Sequence, residues 1–374
     1  MTVHQHAADP HTDLASSLDQ GFTLPARWYT GTDVFEAEQR QIFGASWQFA
    51  GLAEKLSRPG DFLTCRAGPV PLVVVRGEDG ELRAFANVCR HRGSELIGES
   101  AGNRKSLQCR YHAWTYGLDG ALRAAPGSKD EPGFDLGSFT LVRASVDQWG
   151  PFVFVNPDPT PQPLHDVLRE LPHLVDATGL RLDAIRRKHR QEYVIAANWK
   201  VVVDNYLECY HCPVAHPGFC HVIDLDQYEV TEYEHFSTQT APAKQRGRGE
   251  GVFGSEVTAG FYAYLWPNFT INIYPGPGNV SLNLFSPIDA GKTRVTYEYC
   301  FVDQVSDAEV EEFVGFVDQI QNEDTELCES VQRGLGSGMF DQGRLMLKQE
   351  SALRHFQKLV YRNVHAAGLE PPAS

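Results

Sequence analysis

The chain has 374 residues, of which 42% are hydrophobic and 22% are charged, and its formal net charge at pH 7 is −15. This length and composition predict a globular protein of about two domains with a substantial apolar core. The negative charge argues against a nucleic-acid-binding protein, and no apolar run approaches the roughly 18 residues of a membrane span.

The polar start of the chain lacks the apolar centre of a signal peptide. We therefore expect residues 1–20 to form a flexible leader in a cytoplasmic protein. Residues 21–45 are expected to form a segment that packs on the C-terminal domain. The eight cysteines have no compact, even spacing. Without a secretion signal, burial or metal binding is expected for them rather than disulfide bonds.

Residues 46–160 consist of short strand patterns separated by turns, which predicts a small all-β domain. The stretch LVVVRGEDGELRAFANV (72–88) is a β-hairpin pattern, in which two strands flank an Asp-Gly turn. WTYGLDGALRAA (114–125) repeats that pattern around a second Asp-Gly. GPFVFVNPDP (150–159) predicts a short buried strand that ends in Pro-rich turn residues.

Two loops of this domain carry the pattern C-x-H…C-x-x-H, formed by Cys89, His91, Cys109 and His112. Two thiolates and two imidazoles fit either a tetrahedral structural zinc ion or a Rieske [2Fe–2S] cluster. Zinc fingers commonly group like ligands, as C-x₂₋₄-C and H-x₃₋₅-H. Here each loop supplies one cysteine and one histidine, which suits a cluster whose two irons need different ligand pairs. The pattern therefore favours the Rieske cluster over zinc.

Residues 161–374 predict a larger α+β domain, with a helical start and strand patterns between residues 260 and 302. The turn sequences PGPGN and DAGK indicate an antiparallel sheet. One strand places Tyr262, Tyr264 and Trp266 on a single face, at a spacing of two residues. Such a stripe is typical of a hydrophobic core, although aromatic faces also bind quaternary ammonium groups.

The stretch LECYHCPVAH (207–216) contains a glutamate, two cysteines and two histidines within ten residues. Apolar spacing at its start predicts a helix that carries Glu208 and His211 on one face and ends at Pro213. Beyond that break, His216 can fold back beside His211. This geometry makes the two histidines candidate ligands of one metal ion.

The cysteines of this stretch offer an alternative, because Cys209 and Cys212 form a C-x₂-C that, with His216, could bind zinc. No second C-x₂-C accompanies it. We therefore interpret Cys209, Cys212 and Cys220 as small core residues. The same interpretation applies to Cys65, Cys300 and Cys328.

A helix is predicted over residues 307–333. Ser306 and Glu309 fit a capping box at its start, and Gly334 fits a C-terminal stop. Its apolar face carries Asp324 in a core-facing position. A buried carboxylate needs a cation, either a metal ion or an Arg or Lys side chain. The predicted face comprises Val310, Phe313, Val317, Ile320, Asp324, Leu327 and Val331.

Four segments resemble the catalytic α subunits of Rieske non-haem iron oxygenases, and the similarity covers almost the whole chain. The last two segments, together with WYTGTDVFEAE near the start, most resemble the subgroup that acts on quaternary ammonium compounds. That subgroup includes choline monooxygenase, glycine betaine demethylase and carnitine monooxygenase. The four segments are CRHRG (89–93), CRYHAWTYGLDG (109–120), NWKVVVDNYLECYHCPVAH (198–216) and EDTELCESVQRGL (323–335).

The resemblance implies an α+β fold, in which a small all-β Rieske [2Fe–2S] domain precedes a helix-grip catalytic domain with an antiparallel sheet covered by helices. The catalytic domain would hold mononuclear Fe(II). Two histidines and one carboxylate form the facial triad of non-haem Fe(II) oxygenases, with positions left open for O₂. His211, His216 and the core-facing Asp324 fit this triad, and the family's two-histidine segment and late aspartate match them.

In this family an acidic residue before the first iron histidine links the two metal sites across a subunit boundary. The resemblance therefore assigns Glu208 to a bridge from His211 to His112 of a neighbouring subunit in a homotrimer. Many relatives have Asp at this position, and Glu is longer by one methylene. Asp204 precedes Glu208 by one turn and is either the residue that orients it or a solvated surface acid.

The resemblance also implies O₂-dependent oxidation with electrons from a separate NAD(P)H-dependent reductase. The chain has no G-x-G-x-x-G after a strand, so no dinucleotide site is predicted within it. The expected reaction is hydroxylation or N-demethylation of a small quaternary ammonium compound, with Tyr206, Tyr262, Tyr264 and Trp266 as candidate substrate-binding residues. The alternatives are an aromatic ring-hydroxylating oxygenase of the same family and a non-enzymatic zinc-binding module.

Overall fold

A computed structural model describes residues 13–244 and 257–365 of the chain. The chain divides into two compact units. The inserted unit comprises Gln39–Asp166, and the flanking unit comprises Met1–Glu38 together with Val167–Ser374. The predicted domain boundaries, after residues 45 and 160, differ from these divisions, which fall after Glu38 and Asp166.

The inserted unit is built from antiparallel strands, which confirms the predicted small all-β domain. One sheet of seven strands has the order β1-β10-β9-β4-β3-β2-β5, and a second sheet has the order β6-β7-β8. A π-helical turn covers Gln39–Phe43, and 3₁₀ turns cover Ala53–Leu56, Ser128–Asp130 and Leu136–Phe139. The strands are β1 Gln48–Leu52, β2 Asp61–Ala67, β3 Val70–Arg76, β4 Leu82–Ala86, β5 Ala101–Asn103, β6 Leu107–Gln108, β7 Thr115–Tyr116, β8 Leu122–Ala124, β9 Arg143–Trp149 and β10 Phe152–Asn156.

Both hairpins predicted for this unit form. β3 pairs with β4 in a register that opposes Leu72 to Ala86, and β7 pairs with β8. Alternating side chains of β3 enter two cores, because Val73 and Val75 lie in one and Leu72 and Val74 in the other. The first of these cores also contains both cysteines of the C-x-H…C-x-x-H pattern. The two candidate cysteine ligands are therefore anchored in a packed interior.

The flanking unit contains a seven-stranded antiparallel sheet and most of the helices, as predicted for the catalytic domain. The strand order is β11-β17-β16-β15-β14-β13-β12. The strands are β11 Ile185–Ile195, β12 Glu229–Glu232, β13 Phe236–Pro242, β14 Ala259–Leu265, β15 Phe269–Ile273, β16 Asn279–Asp289 and β17 Lys292–Val302. A 3₁₀ turn covers Leu225–Gln227, and the described helices are α1 Leu14–Asp19, α2 Ala26–Thr30, α3 Thr32–Glu38, α4 Leu164–Leu168, α5 Leu171–Ala177, α6 Trp199–Tyr206, α7 Cys212–Ala215, α8 Pro217–Val222, α9 Asp307–Leu335 and α10 Ser351–His365.

Two long helices pack on this sheet through aromatic side chains. Phe313 of α9 meets the ring of Tyr274 at 5.2 Å and that of Phe301 at 5.4 Å, both edge to face. Phe356 of α10 meets Tyr264 at 5.7 Å in the same way. Each such pair contributes about 0.5–1.5 kcal/mol beyond the burial of its surface. These contacts fix α9, and with it Asp324, over the sheet.

The structure corrects two predictions, one about the length of the N-terminal leader and one about the C-terminal end of α9. The leader predicted over residues 1–20 is too long, because Leu14–Asp19 forms a helix that buries Leu18 completely; residues 1–12 lie outside the described residues. The capping box of α9 is present, but the helix passes Gly334 and is capped at Gly336, whose N–H donates to the carbonyl of Gln332. Gly334 adopts a helical conformation, so it does not stop the helix.

The apolar face of α9 also differs from the prediction in its C-terminal half. Leu327 and Val331 are 38% and 51% exposed, whereas Cys328 and Leu335 are buried. The spacing of the buried positions shows that the core-facing side of a long helix drifts relative to a strict alternation of three and four. Among the described residues, no helix combines the length and the apolar character needed to cross a membrane.

Candidate functional site

The two loops of the C-x-H…C-x-x-H pattern share one backbone conformation. The N–H of Cys89 donates to the carbonyl five residues later, at 2.8 Å, and its carbonyl accepts from the N–H of Gly93, at 3.0 Å. Cys109 makes the same two bonds, at 2.9 and 3.0 Å, the second with the N–H of Ala113. Gly93 and Ala113 both have positive φ, 72° and 59°, which allows each loop to turn sharply. The chain thus builds one turn twice, each with one cysteine and one histidine.

The side chains of these loops converge as a cluster site requires. Cys89 and Cys109 are free thiols and are buried. The rings of His91 and His112 lie 4.7 Å apart, and His91 stacks on Trp114 at 4.8 Å. The Nδ1 of His112 is buried without a hydrogen-bond partner, which is costly unless another group binds it. Coordination to a metal would satisfy this nitrogen, so the four residues fit a [2Fe–2S] cluster.

The surroundings of Cys109 favour its thiolate form. Burial opposes ionisation of Cys109, but backbone N–H groups of Tyr111 and His112 hold the pKa of this thiol below its ordinary value. The hydroxyl of Tyr116 accepts a hydrogen bond from the N–H of Arg90 at 3.0 Å and lies 3.5 Å from the Sγ of Cys89. Because the thiolate is the metal-binding form, these groups prepare the loops for a cluster.

The segment 207–216 does not continue α6, which ends at Tyr206. The prediction that Pro213 ends a helix is wrong, because Pro213 lies in the first turn of the short helix α7. A proline is tolerated there, since the first-turn N–H groups have no partner within the helix. The intervening turn nevertheless places Glu208 against His211. The Oε1 of Glu208 is hydrogen-bonded to the Nδ1 of His211, and its Oε2 accepts from the backbone N–H of Tyr210 and of His211.

Two neighbouring histidines, His211 and His216, meet Asp324 from more than a hundred residues later in the chain. The Nε2 atoms of His211 and His216 lie 3.1 Å apart, and Oδ1 of Asp324 lies 2.9 Å from the latter and 3.5 Å from the former. Three atoms at about 2.1 Å from one metal ion, in mutually perpendicular directions, would be about 3 Å apart. Among the described residues, this is the group of metal-binding side chains whose ligand atoms all lie within 4.8 Å of one another. The residues present therefore fit a two-histidine, one-carboxylate metal site.

Each candidate iron ligand is oriented by a neighbour. The Nδ1 of His216 lies 2.7 Å from Oε2 of Glu323, and Glu323 is in turn held by the side-chain amide of Gln319 at 3.0 Å. Asn205 donates its side-chain N–H to Oδ1 of Asp324 at 3.1 Å. A carboxylate on the far nitrogen of a ligating histidine fixes its tautomer and its ring orientation.

The charges of the site reinforce one another. Burial opposes protonation of His211, but the Asp324 and Glu208 carboxylates outweigh it and raise the pKa of His211 to about 9. Burial also opposes protonation of His216, but the carboxylates of Asp324 and Glu323 outweigh it and raise the pKa of this histidine. Burial alone would raise the pKa of Asp324, yet the two histidines hold it below the ordinary value. Asp324, Glu208 and Glu323 thus favour positive charge at this point, carried either by protons on the two imidazoles or by a metal ion that takes their place.

The structure corrects the prediction for two of the cysteines. Cys209 and Cys212 form a disulfide whose Cα atoms are 4.9 Å apart, on either side of His211. They were expected to be unbonded core residues, but the turn between α6 and α7 brings their side chains together. Cys220 is free and partly buried. Cys300 and Cys328 are buried, and Cys65 is partly buried.

Four tyrosines form a cluster next to this site. Tyr262 is buried, and Tyr206, Tyr228 and Tyr274 pack against its surroundings. Burial raises the pKa of Tyr274 above its ordinary value, and the negative charge of Asp324 adds to the effect, which reports their proximity. We call Tyr206, Tyr228, Tyr262 and Tyr274 the tyrosine cluster. The hydroxyl of Tyr206 donates to Asn272 at 2.6 Å, whereas that of Tyr262 is buried without a partner.

The other two candidate aromatic residues pack elsewhere. Tyr264 lies in β14 with Tyr262, and Trp266 lies in the turn just after the strand, but both rings meet Phe356 of α10, at 5.7 and 6.1 Å. The hydroxyl of Tyr264 donates to the carbonyl of Pro267. Residues two apart along a strand lie on the same face but at different points along its length. One end of this aromatic face therefore lies near the candidate site, and the other end packs against α10.

Asp204 was predicted either to orient Glu208 or to be a solvated acid. The described hydrogen bonds of Asp204 go instead to Tyr29 and Gln357. Because α6 ends at Tyr206, the one-turn relation between Asp204 and Glu208 does not apply. Its Oδ1 is buried, so the alternative of a solvated acid is also wrong.

Sequence reasoning missed Glu323, Asn205 and Gln357. Glu323 and Asn205 were inside the segments that carried the family resemblance, and their position directly beside Asp324 and Asp204 was the available signal. Gln357 lies 153 positions from Asp204, and no local pattern marks it.

Comparison with known proteins places both units in one family. Residues 46–141 match the Rieske [2Fe-2S] domain, and residues 182–366 match the catalytic domain of the ring hydroxylating alpha subunit. These matches confirm the two predicted cofactors, a [2Fe–2S] cluster and a mononuclear iron.

Individual relatives are similar along nearly their whole length. The carnitine monooxygenase oxygenase subunit of Acinetobacter pittii is 33% identical over 93% of this chain and 96% of its own. The chloroplastic choline monooxygenase of Arabidopsis thaliana is 34% identical over 93% of this chain and 84% of its own. A solved quaternary ammonium Rieske monooxygenase, studied for carnitine oxidation and inter-subunit electron transfer, superposes with a TM-score of 0.85 at 32% identity, over 96% and 99% of the two chains.

Proposed function

Because the chain belongs to the family of Rieske-type oxygenase α subunits, which are oxidoreductases, we propose that it is the terminal oxygenase for a small quaternary ammonium compound. The proposed reaction is a monooxygenation that hydroxylates or N-demethylates a betaine, choline or carnitine-like substrate. His211, His216 and Asp324 are the proposed iron ligands. Cys89, His91, Cys109 and His112 are the proposed ligands of the cluster.

The observation that carries this proposal is the pairing of the three-ligand site with the tyrosine cluster. Aromatic faces attract a quaternary ammonium group, which carries charge but offers no hydrogen-bond donor. The tyrosines are neutral, because burial raises the pKa of each above its ordinary value. The relatives named for carnitine and choline match over nearly the full chain, which supports this substrate class over an aromatic hydrocarbon or acid.

The chemistry requires two electrons and two protons. A C–H bond of the substrate and one molecule of O₂ give a C–OH group and one molecule of water. A hydroxyl on an N-methyl carbon breaks down to the amine, formaldehyde and a proton. A hydroxyl on a carbon that already bears one gives an aldehyde hydrate. Iron supplies the site of O₂ activation when it is bound, and the chain's three ligands leave positions open for it.

The electrons are proposed to come from a separate NAD(P)H-dependent reductase and to reach the iron between subunits of a homotrimer. Glu208 would connect His211 to His112 of a second copy. Inter-subunit electron transfer in a relative of 32% identity supports this role. The two carboxylate oxygens of Glu208 already contact the backbone N–H of Tyr210 and the Nδ1 of His211. A hydrogen bond to the second copy would therefore use another lone pair of these oxygens. A cytoplasmic location is part of the same proposal.

A substrate screen tests the proposal. The iron-loaded protein and a surrogate reductase would be supplied with NADH and with choline, glycine betaine, carnitine, proline betaine or an aromatic acid. O₂ uptake, formaldehyde and aldehyde would be followed in each case. Substrate-dependent formaldehyde or aldehyde from a quaternary ammonium compound is expected. Turnover of the aromatic acids alone would establish the ring-hydroxylating alternative instead.

A further inference from the structure

Asp204 is a partly buried acid whose two carboxylate oxygens have different environments. Oδ2 accepts a hydrogen bond from the hydroxyl of Tyr29 at 2.7 Å and one from the side-chain amide of Gln357 at 3.1 Å. Gln357 also donates to the Tyr29 hydroxyl at 2.8 Å, which ties the two donors together. Oδ1 is buried and has no partner. A buried, unpaired oxygen disfavours the charged carboxylate, so the proton of a neutral acid belongs on Oδ1.

Asp204 also lines the cavity that reaches the candidate iron site. This cavity has a volume of about 350 Å³, and its polar wall includes Asp204, Asn205, Glu208 and His211. Asn205 is hydrogen-bonded to the ligand Asp324. The rest of the wall is largely apolar, with Val201, Leu327, Val331, Leu335, Phe340 and Leu353. Asp204 is therefore a titratable acid on the wall of the same cavity that His211, a proposed iron ligand, also lines.

The charges that face Asp204 come from several elements. On its own helix, Lys200 attracts the carboxylate, but Lys200 is itself paired with buried Glu38 at 2.6 Å. Glu350, before α10, opposes ionisation. Glu208 shares the cavity wall.

The negative charge of Asp204 also affects the pKa values of two uncharged groups on other elements. Its negative charge adds to burial in raising the pKa of Cys328 on α9 and of Tyr264 on β14. Burial raises the pKa of Asp204 to about 7, although hydrogen bonds from Tyr29 and Gln357 and the positive charge of Lys200 oppose this rise.

We propose that Asp204 is a proton-relay residue, which holds a proton on Oδ1 and passes it through the shared cavity to the O₂ reaction. This inference rests on the proposed function, because each monooxygenation consumes two protons together with two electrons. One oxygen atom leaves as water and must receive those two protons at the proposed iron site, whose ligand His211 shares the cavity wall with Asp204. The acid gives up its proton to the reaction and regains one from solvent through the cavity. General acid catalysis of this kind typically accelerates a reaction about 10²–10⁴-fold.

The substitution Asp204→Asn separates proton transfer from structure. An asparagine oxygen can accept the same two hydrogen bonds from Tyr29 and Gln357, and its NH₂ replaces the O–H of the neutral acid, but it cannot release a proton. We expect the rate of product formation to fall on the order of 100-fold. The wild-type rate should fall as pH rises through about 7, because the acid form of Asp204 is lost, and this fall should be absent in the variant.

A matched control is available on α9. Asp318 likewise accepts hydrogen bonds from a tyrosine and a glutamine, Tyr193 at 2.5 Å and Gln191 at 2.9 Å, but it does not line the cavity. The variant D318N should keep the wild-type pH profile. A D204N protein that also keeps that profile, with its fall above pH 7, would overturn the relay.

An infrared titration of the metal-free protein tests the protonation state without turnover. The C=O stretch of a protonated carboxyl should disappear between about pH 5 and pH 9 in wild type and be missing throughout in D204N. If D204N does not fold, Tyr29→Phe serves instead: Tyr29 lowers the pKa of Asp204, so its loss should move the midpoint of the band to higher pH. Absence of any such band overturns the inference.

The two proposals fail in different ways. A wild-type protein that oxidises no quaternary ammonium compound contradicts the proposed function, whatever the infrared band shows. A wild-type protein that forms product, alongside a D204N variant of equal rate and equal pH profile, contradicts the relay alone.

Discussion

The two metal centres of this chain are built in opposite ways. The cluster ligands lie in two copies of one turn, and each turn supplies a cysteine and a histidine two or three residues apart. Of the proposed iron ligands, His211 directly precedes α7 and His216 directly follows it, whereas Asp324 lies in the middle of α9, more than a hundred residues later. A short motif therefore suffices to identify the first centre, whereas the second exists only after the sheet has positioned α9.

The two centres also hold their histidines by different forces. At the cluster site, His91 stacks on Trp114 and the Nδ1 of His112 has no partner. At the iron site, each histidine has a carboxylate on its Nδ1, Glu208 for His211 and Glu323 for His216. We infer that packing and backbone turns orient the first pair and that charged hydrogen bonds orient the second. Neutralising one acid should therefore disturb the iron site and leave the cluster intact.

The largest effect is expected from removing the iron ligands. Asp324→Ala leaves two histidines without the carboxylate that completes the triad, so the mononuclear iron should be lost and the remaining iron should be that of the [2Fe–2S] cluster. Product formation should fall by more than about 10³-fold, because the iron that would activate O₂ is no longer bound. Metal analysis and the visible spectrum would be measured together. The cluster absorption should be unchanged, since its ligands lie in the other unit; full iron with full turnover would contradict the assignment.

The converse substitution is Cys109→Ser, which removes one cluster thiolate. The visible absorption and the electron paramagnetic resonance signal of the cluster should be lost, and turnover supported by the reductase should fall to background. Iron bound at His211, His216 and Asp324 should remain. Cys65→Ser is the control, because Cys65 is a free thiol in the same unit but outside the two loops. Equal cluster loss in both variants would point to general instability of the unit rather than to ligation.

The ligands that these two experiments test are among the features that could be predicted from the sequence. The hairpins, the capping box and all seven proposed ligands were predicted from local patterns and from the resemblance. The role of Pro213 was not, because a proline fits both the end of one helix and the first turn of the next. Neither was the Cys209–Cys212 disulfide, since the turn that joins the two cysteines depends on the end of α6. Tyr264 and Trp266 share the pattern of Tyr262, and only the position of α10 distinguishes them.

An intermediate effect is expected for Glu208→Gln, which keeps a hydrogen-bonding oxygen but removes the charge. If Glu208 carries electrons between centres, oxidation of the reduced cluster by O₂ and substrate should slow on the order of 10²-fold at unchanged iron content. Stopped-flow absorption of the cluster measures this rate directly. A rate equal to wild type would exclude the bridging role and leave Glu208 as a residue that only positions His211.

The smallest effect is expected for Glu323→Gln, the matching change on the other histidine. The amide cannot hold the Nδ1 proton of His216 as a carboxylate does, so iron affinity should fall about 10–100-fold while electron transfer in the iron-loaded enzyme stays near wild type. Titration of the metal-free protein with Fe(II) or Co(II) measures the affinity without turnover. Glu326→Gln is the control, because Glu326 is exposed on the same helix. Should E323Q instead slow cluster oxidation as E208Q does, the two carboxylates would share one role, and the division between a bridging acid and a positioning acid would not hold.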